Sequence, residues 1–362
     1  MQNQDFSHHL LNWYEDHKRQ MPWRGEADPY KIWVSEIMLQ QTRVEQATPY
    51  FKNFISLFPT VFDLAEAEQQ KVLKAWEGLG YYSRARNLHS AAKTVVEEYN
   101  GKLPETYDEI IKLKGIGPYT AAAVTSIAFN KPNAVVDGNV IRVLTRYFGI
   151  EDDVRSSKTK NRVQDFADEL IDKENPASFN QGMMELGSIV CKPSNPDCME
   201  CPVQSGCVAT KMAKTDTIPY KSPAKKKPHH TIGVGIIEGE DGKLLIALRP
   251  ENAMLGGLWE FPGGKQEEGE EIHKTVEREL KEELGVEVKA FKELMSLKHT
   301  YSHFSITLHA WMCKLVSGTP QPKSSQEIRW VEREELEKYP FPKANKVLTE
   351  RLSGKGLAEL GI

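Results

Sequence analysis

The chain has 362 residues, 40% of them hydrophobic and 27% charged, with a formal net charge of −4. That length points to two or three domains, and the composition is ordinary for a soluble globular protein. No apolar run approaches the length of a membrane span, so no membrane partner is expected. The start, Met1-Gln2-Asn3-Gln4-Asp5, lacks the basic and apolar regions of a signal peptide, and a cytoplasmic location is expected. The net charge does not advertise a nucleic-acid binder, although phosphate contacts need only a local basic face.

Up to about residue 190 the pattern is helical. Asp28-Pro29 reads as an N-cap followed by proline at the first helical position. In the helix that follows, Glu36 has Ile32, Trp33, Leu39 and Gln40 as neighbours at helical spacing, and all but Gln40 are apolar. A carboxyl on such a face is partly desolvated, so its pKa rises and it keeps a proton near neutrality. The plainer reading is a glutamate at the rim of the face, reaching water. Ser83 to Tyr99 reads as an amphipathic helix ended by Asn100-Gly101. Gly115 and Gly117 then let the backbone turn sharply before a helix restarts over Thr120 to Phe129; outward amides there make a phosphate seat. Asp137 reads as the N-cap of a helix from Val140 to Phe148. The helix dipole and amides are expected to hold it ionised, as an oxocarbenium-like sugar requires when a glycosidic bond breaks. A protonated Glu36 and an ionised Asp137 would form the acid and counter-charge of such a cleavage.

Cys191, Cys198, Cys201 and Cys207 follow with the spacing C-x6-C-x2-C-x5-C. Thiolates that close repel each other unless a metal centre neutralises them. The loop suits a [4Fe–4S] cluster or a structural zinc, with a disulfide pair as the remaining alternative. Cys313 reads as a buried strand residue without chemistry. Residues 209–230 are polar and basic, including Lys221-Ser222-Pro223-Ala224-Lys225-Lys226-Lys227-Pro228, and read as an exposed linker that could also touch DNA phosphates. Beyond it, Thr231 to Ile237 and Lys243 to Leu248 flank Asp241-Gly242 and read as a β-hairpin. From Gly264 the residues Glu270, Arg278, Glu279, Glu282, Glu283 and Gly285 satisfy the Nudix box in full. On a helix Glu279, Glu282 and Glu283 share one face, and three converging carboxylates suit Mg²⁺ beside a pyrophosphate; a solvated acidic face is the plainer reading.

The cysteine loop resembles the one that closes the helical domain of endonuclease III-type DNA glycosylases. The string Leu113 to Ala121 resembles their helix-hairpin-helix. Ser35-Glu36-Ile37-Met38-Leu39-Gln40-Gln41-Thr42-Arg43 and Gly78-Leu79-Gly80-Tyr81-Tyr82-Ser83-Arg84 look like the adenine DNA glycosylase family called MutY, a resemblance that covers residues 5–208. It implies a multi-domain chain. An all-α helix-hairpin-helix glycosylase domain occupies 1–208 with its [4Fe–4S] loop at 191–207, a basic linker 209–230, and an α+β Nudix-like C-terminal domain 231–362.

The resemblance also implies roles. Glu36 protonates adenine at an imidazole nitrogen, Asp137 stabilises the sugar cation and Asn139 helps hold it. Endonuclease III-like enzymes carry a lysine nucleophile where this chain has Tyr119; a phenol forms no Schiff base, so base removal without efficient strand cleavage is expected. The target base must be flipped from the duplex. Gln41 and Tyr81 match the family's wedge residues, with Thr42 and Leu79 beside them in the same motifs. Trp23 and Arg24 resemble the segment lining the adenine pocket, and Gln181 matches the position that reads the adenine edge. Tyr301-Ser302-His303 matches the loop that recognises oxidised guanine opposite the adenine. The family usually lacks the metal-binding glutamates, which this chain keeps, so a box able to hydrolyse oxidised purine nucleoside triphosphates is a second expectation. The function implied is a monomeric, monofunctional glycosylase acting on adenine opposite 8-oxoguanine in double-stranded DNA.

Overall fold

A computed structural model gives the fold and describes residues 2–223, 226–301 and 303–353. Ser302 therefore lies outside the described residues. The chain forms two compact units, Met1–Glu66 with Asn87–Ala224 and Ala67–Arg86 with Lys225–Ile362. The stretch 67–86, which the sequence places within the helical half, thus groups with the C-terminal residues.

The helices before the first strand are α1 (Gln2–His17), α2 (Pro29–Leu39), α3 (Val44–Leu57), α4 (Val61–Glu66), α5 (Gln69–Ala75), α6 (Ser83–Tyr99), α7 (Tyr107–Ile110), α8 (Pro118–Phe129), α9 (Gly138–Phe148), α10 (Ser157–Leu170), α11 (Pro176–Ile189) and α12 (Val208–Lys211). Local signals set several ends. Asp28 caps α2 by accepting from Tyr30 N, with Pro29 at the first helical position. Asp137 caps α9, which closes at Gly149 with φ +65°. A Cβ at Gly149 would lie 2.5 Å from Val208 Cγ1, so glycine is needed there for packing as well as for conformation. Phe6, Leu10, Tyr14, Val140, Leu144, Val163, Phe179, Met183 and Leu186 are buried together and bind α1, α9, α10 and α11 into one core. Each such side chain contributes about 1.5–3 kcal/mol by leaving water.

The second unit carries β1 (His229–Ile237), β2 (Leu244–Leu248), β3 (Trp259–Glu260), β4 (Gly263–Lys265), α13 (Ile272–Leu284), β5 (Glu287–Thr300), β6 (Ser305–Ser317), β7 (Glu327–Val331) and α14 (Lys343–Leu352). One sheet runs β4-β1-β6-β5, the other β3-β2-β7. The hairpin expected from Asp241-Gly242 does not form as such. Gly242 does turn, with φ +80°. However, β1 pairs antiparallel with β4 on one edge and parallel with β6 on the other, leaving no edge for β2 beyond a single bridge, Glu238 to Leu244. Val276, Leu280 and Leu284 of α13 pack against Ile237, Val288 and Cys313, and Cys313 is buried as expected. The stretch 67–86 is bonded into this unit through Trp259 Nε1 to Gln70 Oε1 (3.1 Å), Phe341 N to Glu77 Oε1 (3.0 Å) and Tyr82 Oη to Phe341 O (3.3 Å).

Candidate active site

A cavity of about 580 Å³ opens in the first unit, within the range of small-molecule pockets. Trp23, Arg24, Glu36, Thr42, Tyr119, Asp137, Asn139 and Gln181 all line it, so the residues expected to act on the base and its sugar meet at one place. Four elements bring them together: α2 carries Glu36, α8 Tyr119, the start of α9 Asp137 and Asn139, and α11 Gln181.

Glu36 is 5% exposed, with Ile32 and Trp33 buried beside it. Tyr119 donates its hydroxyl to Glu36 Oε2 at 2.8 Å. Burial pushes the Glu36 carboxyl up to about 7; the Tyr119 bond opposes this and the charge of Asp137 adds to it. The Tyr119 phenol is itself held well above its ordinary range by burial, so it stays a proton donor.

Asp137 accepts from Asn139 N (2.8 Å) and Val140 N (2.7 Å) through Oδ1, and from Asn139 Nδ2 (2.9 Å) through Oδ2. These bonds favour the charged form, as the N-cap predicts. The net direction is nonetheless upward, because burial outweighs the bonds and the nearby Arg142. The capping bonds expected at Asp137 are thus present, with burial working against them.

Arg19, Glu185 and Ser188 also line the cavity and were not singled out from the sequence. Glu185 is 2% exposed and accepts from Arg19 N, Arg19 Nε (2.7 Å), Arg19 Nη2 and Arg24 Nη2 (3.0 Å). Burial alone would raise its pKa, but the arginine bonds bring it below the usual range. A signal existed: Gln181, Glu185 and Ser188 recur at helical spacing on α11 and form a polar stripe along it.

Outside the cavity, Gly115 has φ +82°, and a Cβ there would lie 2.5 Å from Asn87 Cβ. Gly117 is extended (φ −100°), so only one of the two glycines needs its conformational freedom. Lys114 is exposed on the turn and is not among the cavity residues. Gln41 and Tyr81 share an unusual feature, positive φ values of 57° and 49°, a strain that tends to be kept where a side chain must be presented. Leu79 is buried. Tyr301 N bonds to Phe304 O at 2.8 Å, which places Tyr301 and His303 in the turn between β5 and β6; the Tyr301 ring stacks on Phe304.

The four cysteines line a second, smaller cavity together with Arg146 and Tyr147. Arg146, 2% exposed, donates to Cys191 Sγ (3.3 Å) and to the carbonyls of Lys192, Pro193 and Ile218. Arg142 bonds Cys191 O (2.7 Å) and Asn139 Oδ1 (2.8 Å). Thus α9 grips the loop with one face and carries the Asp137 cap at its start. A guanidinium aimed at sulfur and four cysteines around one hollow are a donor set suited to an electron-rich thiolate centre.

The Nudix carboxylates do not gather as expected for Mg²⁺. Arg278 bonds Glu270 (2.9 Å), Glu279 (2.9 Å) and Glu282 (3.4 Å), while Glu283 turns to accept from Gly263 N (3.0 Å) and is pushed up to about 7 by burial and by Glu260. Sharing a helix face places the residues but not their carboxyl groups: Arg278 claims those of Glu279 and Glu282, and the Gly263 amide that of Glu283. Among the described residues no group of three or more His, Cys, Asp and Glu side chains, in the Nudix box or in the cysteine loop, is drawn together as for a single metal ion.

The family described as "HhH-GPD superfamily base excision DNA repair protein" matches residues 34–170, and the "NUDIX domain" family matches 233–351. In structure, a thermostable thymine-DNA glycosylase aligns with TM-score 0.53 and 28% identity over 58% of this chain and 97% of its own. Endonuclease III in a trapped DNA complex shares the fold, with TM-score 0.50 and 23% identity over 58% of this chain and 98% of its own. The fold and its carboxylate-lined cavity are those of a helix-hairpin-helix DNA N-glycosylase joined to a Nudix domain. Adenine DNA glycosylase of Rattus norvegicus is 34% identical over 91% of this chain and 74% of its own length, and that of Homo sapiens 34% over 90% and 70%. Adenine DNA glycosylase of Buchnera aphidicola is 36% identical over 84% and 85%. The chain belongs to the adenine DNA glycosylase family. These relatives do not favour a pyrophosphohydrolase as the principal activity. No described helix is long and apolar enough to cross a membrane.

Proposed function

We propose that the chain acts as a monomer and removes adenine opposite 8-oxoguanine from duplex DNA, without efficient strand cleavage. The observation that carries this is the presence in one cavity of Glu36, protonated near neutrality, and Asp137, held by donors that suit its charged form. Glu36 gives its proton to an imidazole nitrogen of the flipped base, which then leaves as a neutral molecule. Asp137, steadied by Asn139, faces the sugar as positive charge grows there. Trp23, Arg24 and Gln181 wall the base, and the amides around Gly115 and Gly117 seat phosphate. Gln41 and Tyr81 fill the gap in the duplex, with Leu79 buried in the Tyr81 motif and Thr42 at the cavity wall. Tyr119 is a donor and no amine, so no Schiff base forms.

Tyr301, Ser302 and His303 read the base opposite; His303 is exposed at the hairpin tip, and the Tyr301 ring packs on Phe304 beside it. A labelled duplex tests this. Free adenine should appear faster from A:8-oxoguanine than from A:G, with few strand breaks before alkali. His303→Ala should narrow that preference about tenfold, the scale of one lost base contact. Equal rates on both duplexes for the unaltered enzyme would remove the recognition role, and breaks without alkali would restore a lyase.

Cys191, Cys198, Cys201 and Cys207 hold a [4Fe–4S] cluster in this reading, with a structural role. The cluster supplies a rigid anchor for the loop, and Arg146 and Arg142 tie that loop to α9. Analysis of the purified protein should find about four irons and four labile sulfides per chain. One zinc per chain and no sulfide would overturn the assignment.

A further inference from the structure

An amide such as that of Gln181 can turn either its oxygen or its nitrogen toward a ligand. What settles the choice here lies behind it, on α1. Tyr14 donates its hydroxyl to Gln181 Oε1 at 3.2 Å, and Gln181 Nε2 donates to Ala177 O at 3.4 Å. A backbone carbonyl only accepts, so the amino group must lie on the Ala177 side and the oxygen on the Tyr14 side. Burial pushes the Tyr14 phenol up to about 12, so it remains a donor at working pH.

The ring that carries this hydroxyl is clamped. A Cβ at Gly182 would come 3.2 Å from Tyr14 Cβ and 3.3 Å from Tyr14 Cγ; the glycine lets α11 sit directly on the tyrosine. The Arg24 guanidinium lies over the ring, 5.5 Å from its centre, and is itself fixed to Glu185, one turn beyond Gln181.

We propose that Tyr14 is a positioning residue for base choice, acting through Gln181. With the amide held in one sense, one lone pair of Oε1 and one hydrogen of Nε2 remain for the pocket, in a fixed order. That order suits a base edge with an amino donor beside a ring-nitrogen acceptor, as adenine has. It does not suit a carbonyl beside a protonated ring nitrogen, as hypoxanthine has. Without the hydroxyl the amide can turn over and serve either edge. This rests on the cavity being the seat of the extruded adenine.

The test is single-turnover release from duplexes that differ only in carrying adenine or hypoxanthine at the target position. The enzymes are the unaltered protein, Tyr14→Phe, Gln181→Ala and the double variant. Tyr14→Phe should lower the adenine-to-hypoxanthine rate ratio about five- to tenfold, the scale of one hydrogen bond. In the Gln181→Ala background the same change should leave the ratio where it was. A ratio measured on one preparation cancels its folded fraction, so mere loosening of α1 does not move it. If Tyr14→Phe leaves the ratio unchanged while Gln181→Ala lowers it, Tyr14 has no such role and the pocket stands. A drop of equal size in both backgrounds also overturns the role. If Gln181→Ala leaves the ratio unchanged, Gln181 does not read the base and both readings fall.

Discussion

Asp137→Asn abolishes base release, by at least about a thousandfold, while duplex binding stays within a few-fold. The substitution removes the charge and keeps the cap. Asparagine caps a helix about as well as aspartate, so α9 keeps its start. The retained side-chain oxygen still accepts from Asn139 N and Val140 N, the bonds that Oδ1 makes now. The new amino group would face Asn139 Nδ2, where Oδ2 now accepts at 2.9 Å. Asn139 cannot simply flip to cure that contact, because Arg142 Nη2 holds its Oδ1 at 2.8 Å. The result is a folded enzyme whose developing sugar cation has no counter-charge. Single-turnover assays of adenine release beside gel-shift titrations decide it. Release that survived within tenfold of the unaltered enzyme would mean that the counter-charge comes from elsewhere.

The local chemistry of this site was legible in the sequence wherever it depends on neighbours a few residues away. Ile32, Trp33 and Leu39 lie at helical spacing from Glu36, so its desolvation could be anticipated and its raised pKa follows. The Asp137 cap is equally local, and its two backbone bonds are as expected. What escaped depends on distant partners. Burial at Asp137, which no local spacing reveals, outweighs the cap bonds in setting the direction of its shift. Glu185 meets Arg19 across 166 residues, a pairing no spacing rule reveals. The turn at Gly242 was readable, but whether β1 had a free edge for β2 depended on β6, some seventy residues later. The Nudix box shows the limit most plainly. Its pattern places Glu279, Glu282 and Glu283 on one helix, yet Arg278 and the Gly263 amide decide where the carboxyl groups turn.

Glu36→Gln should lose about two to four orders of magnitude in base release and, in the same protein, gain stability at alkaline pH. Both effects have one cause. The carboxyl titrates at about 7 in the folded chain against an ordinary 4.5, a gap worth about 3 kcal/mol at most. Below pH 4.5 the group is protonated whether the chain is folded or not, and it has no linkage effect. As pH rises from there through 7, folding must progressively bury a charge, so the unaltered enzyme loses stability that a neutral glutamine keeps. The melting temperatures of the two proteins should therefore nearly coincide at pH 4 and separate toward pH 8, with the variant higher. Activity follows the opposite form of the same carboxyl. Release by the unaltered enzyme should fall above pH 7, because the proton to be delivered is gone. Tyr119→Phe should move that fall to higher pH, since the Tyr119 hydroxyl now stabilises the carboxylate from 2.8 Å. Melting curves that run parallel from pH 4 to pH 8 would show that Glu36 is not held neutral by burial. The acid role would then have to pass to another group in the cavity.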